Sequence, residues 1–356
     1  MPLATRGKKG PDATPTWGVV MTVNEPLSLV LSNVHWHLTT GAQEVWVFLD
    51  DPQDAVAGPL SAVAGCHVVC CDAAYWVRQM RQIERPASQM RRQTVNANVA
   101  RRQMGTDWLF HIDADEFIWQ DRPLRQELAG GIAPQTEVNL PVLERLFPHG
   151  QAQGRLFEGR FRATSDLTQS EARLAFGEYA SFMKRGQYSH GAGKSGVRKD
   201  DGLRLGVHNA TVRKGKRLAR SAKHISQAAR LLHFDGVTPL HWLLKVLRYS
   251  ITAPDVQRSI LQSHRMAQID WMVERSETLD AARAAHATLF AGTPDRCSRL
   301  AQFGLLQDIP FHPERVVGPH WPDQSPEAFD ADLLARNPWV TDLVIDEALN
   351  PGGSPV

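Results

Sequence analysis

The chain reads as an α/β protein with a mostly parallel sheet and a mixed, helix-rich C-terminal part. Three observations predict this. Short apolar, β-branched runs alternate with helical periodicities over residues 17–112, the βαβ order of a parallel sheet. Two of those runs, "EVWVFLDD" and "WLFHIDADEF", pass into acids without an intervening turn. Beyond residue 140 the pattern changes to short strands, turns and amphipathic segments.

The elements follow in order. "WGVVMTV" (Trp17–Val23) is a buried strand, ended by Asn24 and Glu25. Pro26 suits the first turn of a helix in which Leu27, Val30, Leu31, Val34 and Leu38 recur at helical spacing, and Gly41 closes it. Glu44–Asp51 is a second strand; a small helix leads to a third, Gly65–Asp72. An Arg-rich helix over about residues 87–104 precedes the fourth strand, which begins at Trp108. "GVRKDDGLRLGVHNATVRKGKR" reads as short strands and turns, "PLHWLLKVLRYSI" as an amphipathic helix, and 255–292 as helical. The Pro-rich stretch 309–328 reads as an irregular tail. The expected organisation is a disordered leader over 1–15, one main domain over 16–250, and a helical extension with a tail over 251–356.

Composition narrows the class without naming it. Of 356 residues, 42% are hydrophobic and 22% charged, as in an ordinary globular protein. A net charge of +2 makes no case for nucleic acid or an anionic membrane. Charge is uneven, however: residues 78–103 are rich in Arg, and a second basic stretch runs from Lys184 to Lys223. Such runs leave room for a phosphate-bearing ligand. Cys66, Cys70, Cys71 and Cys297 form no CxxC pair and are expected as small core hydrophobes in a reducing compartment. The N-terminus has no apolar signal region, and no run reaches the roughly 18 apolar residues of a membrane span. A cytoplasmic protein is expected.

The acids after the fourth strand carry the chemistry. In parallel sheets ligands bind outside the carboxyl ends of the strands, where Asp113 and Asp115 would join Asn24, Glu25, Asp50 and Asp51. Side chains two apart on an extended backbone lie on one side, so both carboxylates can reach one point. Oxygen ligands at that spacing suit Mg2+ or Mn2+, completed by water and substrate phosphates.

The stretch from Val19 to Asp51 followed by "DWLFHIDADEF" resembles the family 2 glycosyltransferases, in the bacterial branch with a late D-A-D-E-F. The resemblance spans about residues 17–120 and recurs in "GKSGVR", "LGVHN" and "LLHFDGVTPLHWLLK". It implies a GT-A fold of Rossmann type, a nucleotide-sugar donor with uridine favoured, a divalent metal (Mn2+ or Mg2+) and inversion at the sugar. It implies that Asn24, Glu25, Asp50 and Asp51 meet the base or ribose, that Asp113 reaches the ribose and the metal's water shell, and that Asp115 ligates the metal. One departure is the "DDPQDA" turn in place of the usual Ser-x-Asp.

Lys194 and Arg198, in a Gly-rich turn, are candidates for holding the diphosphate. His233 is the preferred third metal ligand, with His208 its competitor; His35 and His37 read as structural. Asp235 is the candidate base for the acceptor hydroxyl, with Glu144 and Asp201 as alternatives. The acceptor, whether glycan, lipid-linked or protein, is left open. Two other classes compete: a phosphohydrolase or phosphotransferase with a DxD metal site, and a non-catalytic nucleotide-sugar-binding protein.

Overall fold

The computed structural model describes residues 14–80, 84–150, 153–250, 261–276, 278–316 and 321–338. Most of the expected leader, residues 251–260 of the helical stretch, 317–320 and the end of the tail lie outside the described residues. The first half runs β1 (Trp17–Val23), α1 (Leu27–Thr39), β2 (Glu44–Leu49), α2 (Ala57–Ser61), β3 (Cys66–Cys70), α3 (Ala73–Met80), α4 (Gln89–Gln103), β4 (Trp108–His111), β5 (Glu116–Gln120), α5 (Leu124–Leu128), β6 (Thr136–Leu140) and β7 (Val142–Leu146). Then come β8 (Arg160–Ala163), α6 (Gln169–Phe176), β9 (Lys194–Arg198), β10 (Arg204–Leu205), β11 (Ala210–Lys214), β12 (Arg217–Arg220), β13 (Ala222–Ile225), β14 (Ala229–His233) and α7 (Pro239–Ser250). The chain continues through α8 (Ser263–Val273), α9 (Leu279–Phe290), α10 (Pro294–Gln302), β15 (Leu306–Gln307) and α11 (Pro326–Arg336).

The central sheet has the order β13-β6-β9-β4-β1-β2-β3. Strands β4, β1, β2 and β3 are parallel, and β9 lies antiparallel between β4 and β6. Alternation along each strand divides its side chains between two cores. Val19, Met21, Val45, Val47, Trp108 and Phe110 face the core that contains α1. Val20, Trp46, Phe48 and Leu109 face the other, closed by Tyr75, Trp76, Ala97 and Ala100 of α3 and α4. Because both faces are covered, these strands read as continuous apolar runs. Cys70 departs from its expectation: β3 is the edge strand, so Cys70 is exposed, while Cys71 and Cys297 are buried. Helix α3 is an element the sequence reading does not include; it buries Tyr75 and Trp76.

A five-stranded sheet, β15-β8-β7-β14-β5, packs beside the first, and β10-β11-β12 form a small antiparallel sheet. The stretch expected as an irregular tail is built into the main core. Phe311 lies with ring centroids 4.6 Å from Trp36 and 4.9 Å from Phe117. Phe329 and Leu333 of α11 join the same core, and Arg336 holds Asp54 by two bonds of 2.8 and 3.1 Å. No described helix is long and apolar enough to cross a membrane.

If residues after 262 are integral, Phe311→Ala should cost about 3–5 kcal/mol, as for other buried aromatics. Urea unfolding of wild type and variant measures this. A loss under about 1 kcal/mol would make the segment a loose appendage.

Candidate functional site

Strand β4 stops at His111 because the next four residues turn back into β5. Glu116 fastens this turn: its backbone N–H donates to the Asp113 carbonyl at 3.1 Å, and its carboxylate accepts from the Asp113 N–H at 2.7 Å. From α1, the Asn33 amide donates to the carbonyls of Ala114 (3.0 Å) and Glu116 (2.7 Å). Asp113 and Asp115 are thereby left pointing into a cleft of about 500 Å³ at the carboxyl edge of the sheet.

The two acids take different partners. Asp113 accepts from Lys194 Nζ at 2.7 Å and from the Gln93 amide at 2.8 Å. Asp115 accepts from Lys245 Nζ of α7 at 2.6 Å, and His233 Nε2 stands 3.9 Å from its Oδ2. Lys194 is wholly buried and lies 3.3 Å from Glu116 as well. Burial alone would lower the Lys194 pKa and raise that of Asp113. Their proximity overrides it, so the ammonium is held up and the Asp113 carboxyl well below its usual range. Burial dominates at Glu116, whose pKa is raised despite Lys194.

Three imidazoles line up against these acids. His190 lies with its ring centroid 4.2 Å from His208 and 5.0 Å from His233. His190 Nε2 is 3.3 Å from Glu116 Oε1, and His233 Nδ1 is 3.0 Å from the Ser189 hydroxyl. Burial, reinforced by the neighbouring cations, pulls His190 and His208 down to about 3, so both are neutral at neutral pH. Neutral imidazole is the metal-binding form. Ligand atoms of Glu116, His190 and His233 lie within 4.8 Å of one another. Glu116 Oε1 and His190 Nδ1 are buried without a hydrogen-bond partner among the described residues. Glu116, His190 and His233 thus offer one carboxylate oxygen and two imidazole nitrogens close together, a donor set that suits a divalent metal.

The far wall comes from α7 and α8, through Lys245, Arg248, His264 and Arg265. Gly236, at φ +82°, makes the turn between His233 and α7. A Cβ there would lie 2.4 Å from Trp242 Cβ, so glycine is required. Glu25 also lines the cleft, 3.2 Å from His241 Nε2.

The residues singled out in the sequence separate into groups. Asn24, Asp50 and Asp113 follow the adjacent parallel strands β1, β2 and β4, and Glu25, Asp113, Asp115, His233 and Asp235 share the cleft. Asp50 is engaged by Arg92 at 2.7 and 2.8 Å and by Arg85 at 2.8 Å. Asp51 is exposed and caps its own turn by accepting from the Gln53 N–H at 2.9 Å.

Four candidates meet partners that the sequence did not indicate. Arg198 pairs in register with Trp108, at the amino end of β4, and lies at the far end of β9 from Lys194. Its guanidinium bonds the Ile132 carbonyl and Asp201, and it is not among the residues that line the cleft. Lys194 faces inward and neutralises Asp113 and Glu116. Asp235 is not a free carboxylate: Arg265 holds it at 2.8 and 3.2 Å and Lys245 lies 3.7 Å away, so despite burial its pKa is depressed. Its alternative Glu144 is buried against Arg162 and the Tyr188 and Ser189 N–H groups. Sequence reasoning missed roles for Glu116, His190, Lys245 and Arg265. Lys245 carried a signal, as a cation within an apolar helical run; His190 had none.

Replacing Lys194 by Met should cost about 3–5 kcal/mol, because two carboxylates would then share a buried space without a cation. Chemical unfolding near neutral pH checks this. Wild-type stability would remove Lys194 from its central place.

No protein-family model and no curated protein matches the chain. Among solved structures it is similar to GalNAc-T7 with UDP, GalNAc and Mn2+, at 11% identity and a TM-score of 0.35, over 77% of this chain and 55% of that one. It is similar to glucosyl-3-phosphoglycerate synthase from Mycobacterium tuberculosis with Mn2+, UDP-glucose and phosphoglyceric acid, at 16% identity and 0.29, over 53% and 59%. TarS from S. aureus matches at 11% and 0.29, over 77% and 72%. The chain thus spans less than two thirds of the first two proteins.

Proposed function

We propose that this protein is a metal-dependent glycosyltransferase of the family 2 type with a GT-A-like fold. It would move a sugar, with inversion, from a nucleotide-diphosphate donor, UDP-sugar foremost, to an acceptor hydroxyl. The observation that carries the reading is the pair Asp113 and Asp115 at the carboxyl end of β4, opening into one cleft with His233 Nε2 3.9 Å from Asp115. Asp115 and His233 would hold the metal, and Mn2+ suits this mixed oxygen–nitrogen pair. A divalent cation on the donor's phosphates neutralises the charge developing on the leaving nucleoside diphosphate.

The protein's own groups supply the rest. Lys194 keeps Asp113 ionised toward the ribose side. Lys245, Arg248 and Arg265 set positive charge along the cleft wall where a diphosphate would lie. Asn24, Glu25 and Asp50 follow the neighbouring strands, on the side proposed for base and ribose. Asp235 positions Lys245 and Arg265, and its low basicity suits that role better than proton abstraction.

Titrating UDP-sugars with and without Mn2+ tests the reading, with UDP release as the measure of chemistry. Asp115→Asn and His233→Ala should each weaken metal-dependent donor binding about tenfold or more. Release of UMP and sugar 1-phosphate in place of UDP would instead indicate a phosphohydrolase acting on the diphosphate. Asp235→Asn should raise the donor KM as Lys245→Met does; a fall in kcat with binding intact would restore Asp235 as the base.

A further inference from the structure

The stretch from Gly202 to Ile225 contains seven Lys and Arg and no Asp or Glu, in a chain whose total charge nearly balances at 40 against 38. It folds as the small β10-β11-β12 sheet and runs on into β13. Register sorts its side chains. Leu205, Ala210 and Val212 are buried in the core beneath α4, with Ala219 packed on them. Arg204 pairs with Thr211, Thr211 with Arg220, and Arg213 with Leu218. By alternation these five share the opposite face. That face presents three arginines around a leucine that is 56% exposed. Gly215, at φ +60°, turns the hairpin so that Lys214, Lys216 and Arg217 crowd its tip, all exposed. Among the described residues, none of these six cations has a salt-bridge partner, whereas nearby Arg198 and Lys223 pair with Asp201 and Glu137.

We propose that this face docks the protein on an anionic lipid surface. Protection of the edge strands β10 and β12 accounts for the charges on those two strands. It does not account for Arg213 on the central strand β11, nor for an exposed leucine amid the cations. Cations with an apolar residue at their centre match the headgroup boundary, where the charges meet lipid phosphates and the leucine enters the acyl region. A soluble polyanion would use the arginines and leave Leu218 without a role. The sheet is joined firmly to the cleft region, since the Gly206 carbonyl bonds His111 Nδ1 at 2.7 Å and Ser195 bonds the His208 carbonyl at 2.9 Å. The inference goes beyond the transferase reading and stands or falls without it.

Co-sedimentation with phosphatidylcholine vesicles, with and without phosphatidylglycerol, tests it on the full chain. Binding should require phosphatidylglycerol and weaken as salt rises. The triple variant Arg213→Gln, Lys216→Gln, Arg217→Gln should bind roughly a hundredfold more weakly, at about fivefold per cation. Leu218→Ser should weaken binding severalfold at unchanged charge. All substituted positions are exposed, so thermal melting should match wild type. Absence of wild-type binding, or wild-type affinity in the triple variant, overturns the proposal. Tight binding of an RNA oligonucleotide, with vesicle affinity indifferent to Leu218→Ser, overturns it in favour of a nucleic-acid surface.

Discussion

The Lys194 ammonium, sealed between Asp113 and Glu116, is the contact on which the site depends. Three acids in four residues would repel one another at the end of a buried strand. A lysine delivered by an antiparallel neighbour, β9, removes that conflict at the point where β4 turns into β5. Glu116 can then serve as the buried fastening of the turn, and Asp113 stays ionised in the cleft. An ammonium without exposed surface is tolerable only with such partners.

The sheet's two-sided burial explains why the chemistry lies at its edge. Val19 and Met21 face one core and Val20 the other, so the body of the sheet has no room for polar side chains. At the carboxyl ends the covering helices have begun or stopped, and acids become affordable. The C-terminal half then returns to this edge. His233 ends β14, Gly236 turns the chain, and α7 brings Lys245 to Asp115. Asp113 and Asp115 thus each meet a cation from a segment far along the chain, 81 residues away for Asp113 and 130 for Asp115.

The small basic sheet shows the same economy with the opposite sign. Its inner face is apolar and closes the second core, while its outer face gathers charge that the described acids do not balance. One register decides both faces, since neighbouring residues on a strand point in opposite directions.

The sequence by itself determined the order of strands β1 to β4, the helix α1, and the acids at the strand ends. Apolar runs and helical spacing are local signals, and burial on both faces makes them strong. It also marked Asp113, Asp115 and His233, because acids and a histidine closing apolar runs stand out without a structure. Only the tertiary structure decided what those groups touch. Lys194 and Arg198 share one short strand and looked equivalent, yet strand length carries them to opposite ends of the sheet. Asp235 looked like a free base until α8 brought Arg265 against it, from 30 residues away. His190 stands in a loop of no regular period and enters the site because the chain folds Glu116 beneath it. The stretch 309–328 looked irregular because its burial comes from single side chains such as Phe311. Pairings across the sheet and between distant helices leave no local period for a sequence to display.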